Sequence, residues 1–258
     1  VNGIIAELAG LLDLAEGVAW AAALAFIRIG ALVALMPGLG DAAVPQRIKL
    51  ALIVAFTLVV APLLADRTSG MEPSFLVLGG EAVAGLILGI GMRLFLVALQ
   101  TAAAIIAQAT TLSQLFSGAA PEPQPAIGNL FLIAGIALAM SAGLHVRAAE
   151  LVMLSYEILP AGGRPVAAEA ADWSLALISR TFSLAFMLAA PFVIASMLYN
   201  LALGAINRAM PTLMVSMVGA PALTLGALAL LAIATPVILS AWLAAFGEHL
   251  AQPFSVAP

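Results

Sequence analysis

The chain has 258 residues, of which 64% are hydrophobic and only 9% charged, against about 25% charged in an ordinary soluble domain. A soluble monomer is therefore excluded, and the formal net charge of -4 provides no basic field for nucleic acid or anionic lipid. With no Cys, and with His145 and His249 far apart, neither a disulfide, a metal site nor a cofactor is expected.

The first basic residue, Arg28, follows Glu7, Asp13 and Glu16. The positive start of a cleavable signal peptide is missing, and the first apolar segment is expected to be retained. Residues 20–36 form the first apolar run, with Arg28 inside it, where a charge needs a protein partner or a polar cavity. Pro37, Gly38 and Gly40 end the run, and a polar turn holds Pro45, Gln46, Arg47 and Lys49. Residues 50–65 are barely long enough to span, since a crossing helix needs about 20 apolar residues. A second polar break covers 66–74.

From Phe75 the chain stays apolar, with Glu81, Gly85, Gly89 and Arg93 each four residues after the last. That spacing puts all four near one helix face, where the two glycines leave a groove for another helix backbone. Glu81 and Arg93 lie about 18 Å apart along such a helix, too far to pair with each other. Packing with separately partnered charges is preferred here over a solute or proton-coupled transport site that uses them.

Residues 110–127 interrupt the apolar runs with Ser113, Gln114, Ser117, Gly118 and the alternating Pro121, Pro123 and Pro125. The prolines bar a regular helix, so this is a loop, yet it keeps Leu112, Leu115 and Phe116. Two readings stand: a connector at the membrane surface, or a loop tucked into protein. Beyond it, residues 130–142 are apolar, His145 and Arg147 read as the polar end of a helix, and the hydrophilic stretch 148–172 reads as a connector with a turn at 162–165.

Two further apolar runs, 173–206 and 213–246, would each measure around 50 Å as straight helices, well over the membrane core. Pro191, Pro221 and Pro236 offer places to kink or break, giving a bent helical hairpin that turns near 207–212. Asn200, Gly204 and Asn207 recur on one face, and their amides need partners from neighbouring helices. Counting Lys and Arg in alternate loops gives a tie, which argues against a set of ordinary lipid-facing spans. The fold class is all-α, with long kinked and broken helices, and no nucleophile–base pair, phosphate loop or metal cluster argues for an enzyme.

These residues resemble the FliR family, the R subunit of the flagellar export gate, and its injectisome counterpart, the T subunit. Phe26, Arg28, Pro37, Pro45, Arg47 and Lys49 follow the family's aromatic-Arg, Pro, Pro-x-Arg-x-Lys order, and Gly80, Glu81, Gly85 and Gly89 are similar to its Gly-rich third helix. The stretch 200–211 resembles its Asn-Leu-Ala-Leu-Gly-x-x-Asn-Arg-x-x-Pro signature, which here includes Asn200, Gly204, Asn207, Arg208 and Pro211. The chain departs from the family where Phe116 is the loop's only aromatic, Ala120-Pro121 stands for Asp-Pro, Leu144 separates Gly143 from His145, and Thr212 follows Pro211.

The resemblance implies one export-gate membrane domain over 1–258, with a P-subunit-like portion (1–147), the connector (148–172) and a Q-subunit-like hairpin (173–250). It implies a hetero-oligomeric helical ring with the P and Q subunits (FliP, FliQ), with the B and A subunits (FlhB, FlhA) as further partners and unfolded export substrates in transit. The expected location is the bacterial inner membrane at the flagellar basal body, with part raised toward the periplasm. The central loop, through Leu112, Leu115, Phe116, Gly118, Pro121, Pro123 and Pro125, would plug the pore. Arg28, Glu81, Gly85, Gly89, Arg93, Asn200, Gly204, Asn207, Arg208 and Pro211 would serve packing, with other subunits supplying partners for the buried charges and amides. The flagellar role is preferred; the alternative is the injectisome T subunit, or a small-solute or proton-coupled transporter acting through Glu81 and Arg93.

Overall fold

A computed structural model describes residues 2–110, 126–163, 165–210 and 215–255. The described residues form seven helices and no strand: α1 (Asn2–Leu35), α2 (Gln46–Thr68), α3 (Phe75–Thr110), α4 (Ala126–Ser141), α5 (Leu144–Ile158), α6 (Ala167–Ala209) and α7 (Val215–Ala251). Helices are what such a composition permits, because each satisfies its own backbone polar groups where no water is available. Among the described residues five stretches are long and apolar enough to cross a membrane: Ala15–Leu35, Gln46–Thr68, Phe75–Ala109, Ala167–Ala209 and Leu225–Ala251.

Neither long run is broken at the prolines that offer places to kink or break. Helix α6 continues through Pro191, and α7 through Pro221 and Pro236. A proline removes one backbone donor, and an apolar setting gives the remaining groups no better partners than the helix itself. A break falls instead between α4 and α5, at Ala142 and Gly143. Gly143 stands there with φ 82, a left-handed conformation that glycine adopts without steric cost. His145 and Arg147 consequently open α5 instead of closing α4.

The stretch 148–172 is also more regular than a connector. Ala148, Leu151, Val152, Ser155 and Tyr156 are buried at spacings of three and four, while Glu150 and Glu157 are exposed. That is an amphipathic helix, with charges confined to its outer face. Only residues 159–166 separate α5 from α6.

The chain forms two compact units, to both of which α3, α6 and α7 contribute. One comprises Val1–Arg93, Gly143–Ala176 and His249–Pro258. Its organising helix is α1, which buries Ala21, Leu24, Ala25, Arg28, Ile29, Leu32 and Val33 along one stripe. The other comprises Leu94–Ala142 and Leu177–Glu248. Here the Phe246 ring sits 5.5 Å from that of Phe95 and 5.3 Å from that of Trp242, centroid to centroid. The buried Trp242 Nε1 donates to the Phe95 carbonyl at 2.8 Å, so the indole is packed without leaving its donor unpaired.

Candidate functional site

Arg28 is the one fully buried cation of the α1 stripe, and its guanidinium is almost completely used. Its Nε donates to Glu81 Oε2 at 2.7 Å and Nη2 to Glu81 Oε1 at 3.1 Å. Nη1 donates to Ser155 Oγ at 3.0 Å, and Nη2 also to the Leu159 carbonyl at 3.0 Å. The Tyr156 ring lies beneath the charge, its centroid 3.6 Å from Cζ.

Glu81 is equally occupied. Besides the fork from Arg28 it accepts the Tyr156 hydroxyl at 3.0 Å and the Gly162 backbone N–H at 3.1 Å. A carboxylate offers about four acceptor positions, and four donors fill them. Neither side chain is exposed to solvent. The cluster therefore holds three helices, α1, α3 and α5, and the turn after α5 in one arrangement. Gly162 has a φ of 74, a left-handed conformation that glycine adopts without steric cost, and its N–H is the backbone donor that the turn presents to Glu81.

Below this cluster α3 closes on α1. A Cβ added to Gly85 would run into the Arg28 carbonyl oxygen and lie 2.7 Å from Ala31 Cβ. One added to Gly89 would lie 2.9 Å from Leu35 Cβ and 3.1 Å from the Leu32 carbonyl oxygen. The groove thus holds the backbone of the chain's own first helix. Arg93, one turn further on, reaches the α1–α2 loop, where Nη1 meets Asp41 Oδ1 at 2.8 Å. Asp41 Oδ2 accepts the Gly38 N–H at 3.3 Å, which ties the loop to itself.

The source of the charge partners differs from the expectation that other subunits supply them: Arg28, Glu81 and Arg93 are all paired within the chain. Sequence spacing compares residues within one helix and is silent about what a second helix brings opposite. Ser155, Tyr156, Gly162 and Asp41 were consequently missed as site residues, although Ser155-Tyr156 inside an apolar run was a usable signal. A transport site built on Glu81 and Arg93 gains no support from this geometry, because the carboxylate has no accessible surface and the guanidinium is spoken for.

At the end of α6 the situation is the reverse. Asn200, Gly204, Asn207 and Arg208 are exposed, and among the described residues nothing lies within 4 Å of where a Gly204 Cβ would be. Leu201, Ile206 and Met210 beside them are exposed as well. The loop residues Leu112, Leu115, Phe116, Gly118, Pro121, Pro123 and Pro125, and Pro211 of the signature, lie outside the described residues. Among the described residues no group of three His, Asp or Glu is placed to hold a metal ion.

The fold and this site define an all-helical protein of membrane-crossing length and composition, with its buried charges committed to its own packing. Residues 19–249 match the family described as Bacterial export proteins, family 1, and the chain belongs to that family. Among its relatives is the flagellar biosynthetic protein FliR of Caulobacter vibrioides, 35% identical over 238 residues that cover 90% of this chain and 94% of that one. The protein of the same name from Escherichia coli K12 is 29% identical, with 87% and 85% covered, and that from Pectobacterium carotovorum 30% identical, with 87% and 86% covered.

Proposed function

We propose that this chain is a non-catalytic core subunit of the membrane-embedded gate of a flagellar type III protein export apparatus. The observation that carries the reading is the extent of the family match, 19–249, together with relatives of near-equal length whose common name is a flagellar biosynthetic protein. Several long apolar helices fit an inner-membrane location.

The finer reading is a ring completed with P and Q subunits, with the B and A subunits alongside, and a pore closed by residues 110–127. It is supported by the open face of α6. Two amides, a guanidinium and an uncovered glycine among exposed apolar residues are costly in hydrocarbon and inexpensive against polar groups of a neighbouring helix. On the same reading residues 1–147 stand in for a P-like portion and 173–250 for a Q-like hairpin.

An in-frame deletion in the native organism tests the assignment. Flagellar proteins should fail to appear in the medium while accumulating inside the cell, and a plasmid copy of the wild-type chain should restore them. Flagella of normal number on the deletion strain would refute it.

A further inference from the structure

Between the end of α5 and the start of α6 lies a cavity of about 260 Å³ that the ion-pair cluster does not use. Its walls include Ile87 of α3, Ile158 at the end of α5, Val166 of the connecting turn, Trp173 of α6 and Phe254 beyond α7. Trp173 already donates its indole N–H to the Pro253 carbonyl at 2.9 Å, so the wall keeps no spare donor there. Among the described residues of the lining the one ionisable group is Glu169, which is exposed and makes no hydrogen bond or ion pair with any described residue.

An apolar cavity with an unpaired carboxylate at its mouth suits an aliphatic stem that ends in a cation, which is the chemistry of a Lys or Arg side chain. An anionic phospholipid headgroup without an amine fits less well, because its phosphate would meet the carboxylate. The depth of the site agrees. Pro160 and Val166 are non-helical and exposed, and exposed irregular backbone does not face lipid within the hydrocarbon. The mouth therefore sits at headgroup or water level, within reach of a protein segment.

We propose that this cavity is a socket for a Lys or Arg side chain of a neighbouring export-gate protein. The choice of neighbour rests on the function proposed above; the chemistry of the socket does not.

The test places a photo-crosslinking amino acid at Val166, itself 58% exposed, in the intact apparatus in membranes, and maps the crosslinked peptide by mass spectrometry. The expected partner peptide belongs to another gate subunit and carries Lys or Arg beside the attachment point. Glu169→Lys should lower crosslink yield and flagellar secretion at least about tenfold at unchanged chain level, since like charges now meet. Putting Glu in place of the mapped basic residue should restore both. Attachment to lipid, attachment to residue 164 of the same chain, or a mapped crosslink indifferent to charge reversal would overturn the socket. A charge-reversible crosslink to a membrane protein outside the export gate would leave the socket standing and overturn the assignment to the gate.

Discussion

Arg28 and Glu81 meet as a two-point fork, with contacts of 2.7 and 3.1 Å between side chains that have no exposed surface. They are 53 residues apart in sequence, and their meeting decides how α1 lies on α3. A buried pair of this kind is hard to break from one side only. Loss of one partner strands the other charge at about 3–5 kcal/mol, whereas apolar replacement of both is often near neutral. Arg28→Met and Glu81→Leu should each sharply reduce the protease-resistant chain in membranes, and the double variant should recover part of it. Recovery stays partial because the Gly162 N–H and Leu159 carbonyl lose their partners, at about 1–3 kcal/mol each. A double variant no better than the worse single one would show that the pair is not the coupled element.

The Arg93–Asp41 contact should behave differently. At 41% and 29% side-chain exposure it is solvent-screened, and such pairs contribute about 0–1 kcal/mol. Arg93→Ala should therefore leave chain level and export near those of the parent. Loss of export at normal chain level would give Arg93 a role in transport that its geometry does not suggest.

The three glycines on these faces should separate into two kinds. Gly85→Leu pushes a side chain into the α1 backbone, and Gly89→Leu into the Leu32–Leu35 turn, with overpacking costs of about 1–3 kcal/mol. Both should lower the level of folded chain, Gly85→Leu more. A Gly204 Cβ meets nothing within 4 Å among the described residues, so with Gly204→Leu chain level should hold while assembly falls. Chain level and co-isolated membrane proteins, measured on the same samples, check the contrast. Unimpaired assembly with Gly204→Leu would leave the α6 face to lipid.

Much of this was legible in sequence because periodicity is a property of single helices. The spacing of Glu81, Gly85, Gly89 and Arg93 defines one face, and the structure seats α1 on the glycines of that face. The amphipathic helix at 144–158 was hidden because its charges, Glu150 and Glu157, made the stretch look like a linker; only the burial of Ala148, Leu151, Val152, Ser155 and Tyr156 exposes the pattern. The identities of the charge partners were not legible at all. Arg28 finds Ser155 127 positions away, and no local rule spans that distance. Of the kinks or breaks that the prolines offer, no break occurs at Pro191, which sits inside a continuous helix, whereas Gly143, with positive φ, stands where α4 gives way to α5.

The loop at 110–127 is the proposed seal. In that proposal Leu112, Leu115 and Phe116 would close a pore by dewetting, as hydrophobic constrictions do in channels, and the prolines would lower the entropy lost on ordering the segment. Phe116→Ala, or a shortened loop, should raise resting ion leakage of cells carrying the intact apparatus while sparing assembly. Ion-sensitive growth or conductance reads the effect. An assembled complex with a deleted loop that is as tight as the parent would return the stretch to a surface connector.

The central claim, that this chain works as one subunit of an export gate, is tested most directly by isolating it from native membranes in mild detergent and identifying what travels with it. The account predicts a hetero-oligomer of fixed composition that contains other flagellar export membrane proteins, with the α6 residues Asn200 and Asn207 at a subunit contact. A stable, monodisperse monomer with no associated membrane protein would contradict it.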